Sequence, residues 1–109
     1  MQVWDGVIHE FKFRPEAGED LIESVNWYED QQPGLGAEFN AAFELTLSRI
    51  DRNAEVYRRS SGKIRKARMV GFPFSIYYLI ENQRIEILAV WHGARDIGLL
   101  EKRVRARVR

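Results

Sequence analysis

The chain predicts an α+β fold: an N-terminal strand, a hairpin of two helices, then a three-stranded antiparallel meander. Three observations carry this. Residues 64–95 hold three apolar runs of strand length, IRKARMV, GFPFSIYYLI and IEILAVWHGAR, rich in the types that suit a pleated, half-buried surface. Residues 15–52 hold two apolar stripes at spacings of three and four, the period of one helix face. Only Gln32-Pro33-Gly34-Leu35-Gly36 separates the stripes, a join that allows an antiparallel or steeply angled pair and little else. Each stripe needs burial, and the sheet is the one large apolar surface that can supply it.

Taken in order, residues 1–6 read as a short leader, loose or at an edge. Val7 to Phe13 (VIHEFKF) alternates imperfectly and reads as a strand, with His9 on the parity of Phe11 and half-buried or at a rim. It pairs with the meander to make a four-stranded, mainly antiparallel sheet. Pro15 suits a first helical position, and Glu16, Glu19 and Asp20 place negative charge where the helix dipole favours it. Ala17, Leu21, Val25 and Tyr28 form the stripe, Trp27 sits on its border, and the helix runs to about Gln31. Leu35, Phe39, Phe43, Leu47 and Ile50 mark the second helix, through Arg52. The polar segment 53–62 connects it to the meander, with Arg58 to Gly62 as a flexible loop. Pro73 falls at a strand start or bend, and Asn82-Gln83 fits a two-residue hairpin turn because Asn tolerates φ > 0. Tyr77 and Tyr78 point to opposite faces, so one is buried and the other can meet a partner. The end, KRVRARVR, alternates Val and Ala with Arg, and residues 103–109 read as a short edge strand or a disordered basic tail.

At 109 residues the chain reads as a single domain, 1–109, able to bury a modest core. It has no cysteine, which excludes disulfides, thiolate metal sites and a cysteine nucleophile. There is no basic n-region with an apolar h-region, and no apolar run nears the roughly 20 residues that span a bilayer, so a cytoplasmic protein is expected. The net charge of +1 conceals a division: residues 1–57 carry −8 and residues 58–109 carry +9. Either a polyanion meets the basic half, or acidic helices neutralise a basic sheet within one body.

Certain segments, in this order, resemble the RelE/ParE toxin superfamily of bacterial toxin–antitoxin modules. They are Ala17-x-x-Asp20-Leu21, Trp27-Tyr28-Glu29, Gly34-Leu35-Gly36 with Phe39, Ile64-Arg65, Phe72-Pro73-Phe74 leading into Ile76-Tyr77-Tyr78, and Ile87-Leu88-Ala89-Val90 with His92 and Arg95. The resemblance spans about residues 9 to 103. It implies the same strand, hairpin and meander. It also implies a co-expressed antitoxin whose flexible segment wraps the hairpin and sheet, with Trp27, Tyr28, Phe39 and Phe43 as contacts.

The superfamily divides between RelE-like endoribonucleases, which cut mRNA on the ribosome, and ParE-like members, which poison DNA gyrase. RelE-like chemistry draws on basic residues of the meander, a late Arg and a late Tyr. Lys66 and Arg68 match the basic pair and Arg95 the late Arg; Ser75 stands where an Arg is expected, and the Tyr is missing from Asp96-Ile97-Gly98-Leu99-Leu100. His92 is a candidate replacement acid or base. The resemblance therefore implies a ParE-like toxin with no metal or other cofactor. Arg65, Arg68, Tyr78, His92 and Arg95 would meet a target such as gyrase. The alternatives are a RelE-like nuclease using Lys66, Arg68, His92 and Arg95, or an inactive member that only binds antitoxin. Plainer readings stand beside these: Lys66 and Arg68 as the solvated face of an edge strand, His92 and Arg95 as a rim pair, and the basic end as a nucleic-acid or gyrase contact or a solubilising tail.

Overall fold

The computed structural model describes residues 8–93 and 97–107. Residues 1–7, Arg95 and the last two positions lie outside that description. The elements are β1 (Glu10–Phe13), α1 (Pro15–Gln31), α2 (Leu35–Arg52), β2 (Arg59–Ser61), β3 (Ile64–Arg68), β4 (Phe74–Glu81), β5 (Arg84–His92) and α3 (Ile97–Arg107). The sheet order is β1-β5-β4-β3-β2, with β1 parallel to β5 and every other pair antiparallel. No described helix is long and apolar enough to cross a membrane.

The helical hairpin follows its sequence pattern closely. Phe39, Phe43, Leu47 and Ile50 are all buried, as the stripe requires, and Pro15 opens α1. Between the helices, Gly34 takes a left-handed φ of 92° and offers no capping side chain. Glu29 of α1 does the capping instead. Its carboxylate accepts the N–H groups of Gly34 at 3.0 Å and Gly36 at 3.0 Å, setting negative charge on the positive end of α2. A Cβ on Gly36 would lie 2.7 Å from the Val25 carbonyl oxygen, so the two helices approach through that glycine.

The hairpin covers one face of the sheet with an aromatic cluster. Tyr28 stacks on Phe39 at 5.2 Å between ring centroids and meets Phe72 edge-on at 5.0 Å, while Phe39 meets Phe74 edge-on at 4.8 Å. Ile76, Tyr78, Ile85, Ile87 and Val90 complete this core from the strands, with Met69 just after β3. The turn at Asn82 has φ 57°, the left-handed geometry expected of the β4–β5 hairpin.

Four expectations need correction. The sheet has five strands, because the expected loop at Arg58 to Gly62 contains β2, which folds back on β3 through Gly62 at φ 55°. His9 precedes β1 and does not lie in it. The basic end is the helix α3. Leu100 and Val104 are four residues apart and fall on one helical face, and this pairing overrides the two-residue alternation of Val, Ala and Arg. Lastly, both tyrosines are buried, because both faces of the sheet are covered. Tyr77 lies under α3 with Ile64, Leu79, Leu88, Ala89, Trp91 and Leu100, while Tyr78 lies in the hairpin core and donates its hydroxyl to the Ala54 carbonyl at 2.7 Å. The unbroken buried run from Ile85 to Trp91 is the mark of a strand covered on both sides.

One irregularity bears on the rim. Tyr77 pairs with Ala89 but Tyr78 pairs with Ile87, so Leu88 is an extra residue in β5. At this bulge Leu88 and Ala89 both face α3.

Candidate interaction surface

The register settles which rim side chains can act together. Arg68 is opposite Ser75 and Lys66 opposite Tyr77, so both cations project from the face that carries α3. Lys66 and Arg68, with Ser75, Pro73 and Gly93, line a hollow of about 220 Å³, and the Lys66 Nζ lies 5.8 Å from the Tyr77 ring centroid. His92 is opposite Phe74, whose ring it meets edge-on at 5.2 Å, and so projects on the hairpin face. Lys66 and Arg68 are thus brought together, and His92 is held on the other side of the sheet.

Arg65 also projects on the hairpin face. Its guanidinium donates to the carbonyl oxygens of Glu55 at 3.0 Å and Tyr57 at 2.8 Å, clamping the segment after α2. Tyr78, Phe39 and Phe43 are at most 3% exposed, so their side chains pack inside this chain and face no partner. Burial also raises the Tyr78 hydroxyl pKa well above the ordinary tyrosine value, which keeps it a neutral donor. Tyr28 is partly covered, with its pKa likewise raised by burial, and Trp27 is 58% exposed. Trp27 lies edge-on to Tyr28 at 5.1 Å, on the open side of α1.

These two rings lead into a second cleft, of about 430 Å³, between α1 and the rim of β5. Asp20, Glu23, Ser24, Trp27, Tyr28, Phe74 and His92 are among its walls. β1 pairs with β5 only as far as Ile87, so α1 and α3 seal the next part of that strand's edge with side chains. The Asp20 carboxylate accepts the Val90 N–H at 3.1 Å and the Arg103 guanidinium at 2.9 Å; Arg103 also donates to the Leu88 carbonyl at 3.0 Å. The same guanidinium carbon lies 5.2 Å from the Trp91 ring centroid.

At the opposite end of the hairpin, Asp51 is 5% exposed and takes the N–H groups of Ile8 at 2.8 Å and His9 at 2.7 Å and the His9 ring nitrogen Nδ1 at 3.0 Å. Burial works against this carboxylate, but those hydrogen bonds outweigh it and hold its pKa below the ordinary value. Sequence reasoning missed Asp51, although it sits four residues after Leu47 on the apolar stripe and a carboxylate there demands a partner. It also missed Arg103 and the sealing role of Asp20, for which the sequence offers no local signal. No group of three potential metal ligands converges among the described residues.

The model of the family described as ParE toxin of the type II toxin–antitoxin system, parDE, matches residues 11–97. The chain belongs to the ParE toxin family. Among solved structures, the fold is similar to that of the chromosomal ParDE toxin–antitoxin system from P. aeruginosa, with a TM-score of 0.71 and 16% identity, over 82% of this chain and 100% of that one. It is also similar to that of the RelBE2 toxin–antitoxin complex from Mycobacterium tuberculosis, with a TM-score of 0.55 and 22% identity, over 84% of this chain and 98% of that one. No curated protein matches in sequence. Almost all of α3 lies beyond the matched stretch of this ParE-family chain.

Proposed function

We propose that this protein is the toxin of a type II toxin–antitoxin module, acting by binding a large target such as DNA gyrase and silenced by a cognate antitoxin. The family match over residues 11–97 supports the module, and the ParDE and RelBE2 structures to which the fold is similar are both toxin–antitoxin systems. One observation favours binding over cutting: the sheet separates Lys66 and Arg68 from His92. Cleavage of RNA by its own 2′-hydroxyl needs a base, an acid and cations around one phosphate. Lys66 and Arg68 offer cations with Ser75 beside them, and the one imidazole of the rim stands across the sheet.

The target surface is then the exposed Arg68 with Lys66 on one side and His92 on the other, with Arg95 following. The antitoxin surface is the open side of α1 at Trp27 and Tyr28. Expression of the protein alone should arrest growth with filamentation and a DNA-damage response, and the purified protein should inhibit gyrase supercoiling. Rapid translation arrest with codon-positioned mRNA cuts would replace this reading with the nuclease one. Absence of any growth effect would leave only an antitoxin-binding role. Arg95→Ala should weaken toxicity at unchanged melting temperature.

A further inference from the structure

We propose that the cleft between α1 and the rim of β5 is a receptor for an arginine side chain carried by the antitoxin, seated between Glu23 and Trp27. The proposal rests on the antitoxin reading above and names the chemistry of one contact within it.

Two of the residues that line the cleft, Asp20 and Trp91, already hold one guanidinium of this chain. Arg103 binds the Asp20 carboxylate at 2.9 Å with its planar group 5.2 Å from the Trp91 ring centroid. A carboxylate beside an indole is the pairing that suits a flat, delocalised cation, through charge-assisted hydrogen bonds and attraction to the ring face. One turn along α1, the pairing recurs without its cation. Glu23 is exposed and has no ion-pair partner among the described residues, and Trp27 follows it by four residues on the same side of the helix. Both line the same cleft, whose wall continues through Tyr28 and Phe74. Around Glu23 and Trp27 the wall is aromatic and acidic, with His92 at the β5 rim, so it disfavours an anion there and leaves a purely apolar side chain facing an uncompensated carboxylate. At about 430 Å³ the cleft has room for a side chain of arginine size.

The test titrates the full-length protein with N-acetyl-L-arginine amide at constant ionic strength, following the three tryptophan indole N–H resonances by NMR. The Trp27 resonance should shift saturably in roughly the millimolar range, and the uncharged isostere N-acetyl-L-citrulline amide should have no such effect. Glu23→Gln should weaken the arginine probe by about fivefold or more, and Trp27→Ala should weaken it similarly, measured on another cleft resonance. Both residues are exposed, so both variants should keep the wild-type fold. No saturable shift, an equal response to citrulline amide, or unchanged affinity in Glu23→Gln overturns the proposal. The co-expressed antitoxin separates this from the parent reading. If it binds wild type and Glu23→Gln equally, the arginine seat fails and the antitoxin reading stands. If arginine amide binds as expected but no antitoxin complex forms, the seat stands and the antitoxin reading falls.

Discussion

The two faces of the sheet are covered by different means. On one, α1 and α2 arrive as a pre-joined pair, locked through Gly36 and Glu29, and bring Tyr28 and Phe39 onto Phe72 and Phe74. On the other, the 11-residue α3 rests on the sheet through Leu100 and Val104, held at its side by Arg103. The hairpin face is a core in which Ile76, Tyr78, Ile85, Ile87 and Val90 are buried, with His92 exposed at its rim. The α3 face mixes buried aromatics with half-exposed and exposed cations, Lys66 and Arg68, within one strand. A cover that small leaves part of its sheet wet, and Lys66 and Arg68 stand there.

The sharpest way to break this contrast is to cut into each cover. Phe39→Ala should cost about 3–5 kcal/mol, because a fully buried ring in the aromatic cluster leaves a cavity its neighbours cannot close. Chemical denaturation would read this as a lower midpoint with the whole molecule affected. Leu100→Ala should cost less, about 2–3 kcal/mol, the low end of the range for a buried leucine, because a single helix can settle into the space. Hydrogen exchange should then show α3 losing protection while α1 and α2 keep theirs; equal loss in all three would erase the distinction between the covers.

The Asp51 latch tests the hairpin face by pH. Its folded pKa is depressed, so its unfolded state binds the proton more readily. The stability it contributes is present above the ordinary carboxylate value of 3.8 and is lost as pH falls through the lower folded value. Asp51→Asn should therefore be less stable than wild type at neutral pH, with the gap narrowing as the pH falls below about 4, in melts run across that range. The smallest effect belongs to the rim. Arg68→Ala should change stability by no more than about 0.5 kcal/mol, since the side chain is exposed, yet reduce toxicity in the growth assay.

The hairpin and the strands β3, β4 and β5 were legible because each carries its own period and turn residues: Pro15, the glycines at 34 and 36, and Asn82. The reading failed where a period was short or a partner distant. Arg59–Ser61 has no apolar residue to mark β2, and it becomes a strand only by pairing back onto β3. In α3, Leu100 and Val104 were outvoted by an arginine alternation that means nothing to packing. Phe39 and Phe43 were correctly placed on one stripe but offered to a partner as well, when the sheet had already taken them. Trp27, at the border of its stripe, is exposed as that position predicts. The cleft beside it was not legible, because Asp20, Val90 and Arg103 meet only in three dimensions.

The extra residue at Leu88 has a further consequence. Beyond it, Val90 and His92 look toward the carboxylates of α1 and Trp91 toward α3, and that facing depends on Leu88 and Ala89 sharing one side of the strand. Removing Ala89 would leave that facing unchanged, but straightening the bulge with every residue kept would turn the rest of the strand over. His92 would then join Lys66 and Arg68 around one hollow, and the indole would move beneath the hairpin. One irregularity of the ladder thus decides which side of the sheet the rim imidazole takes.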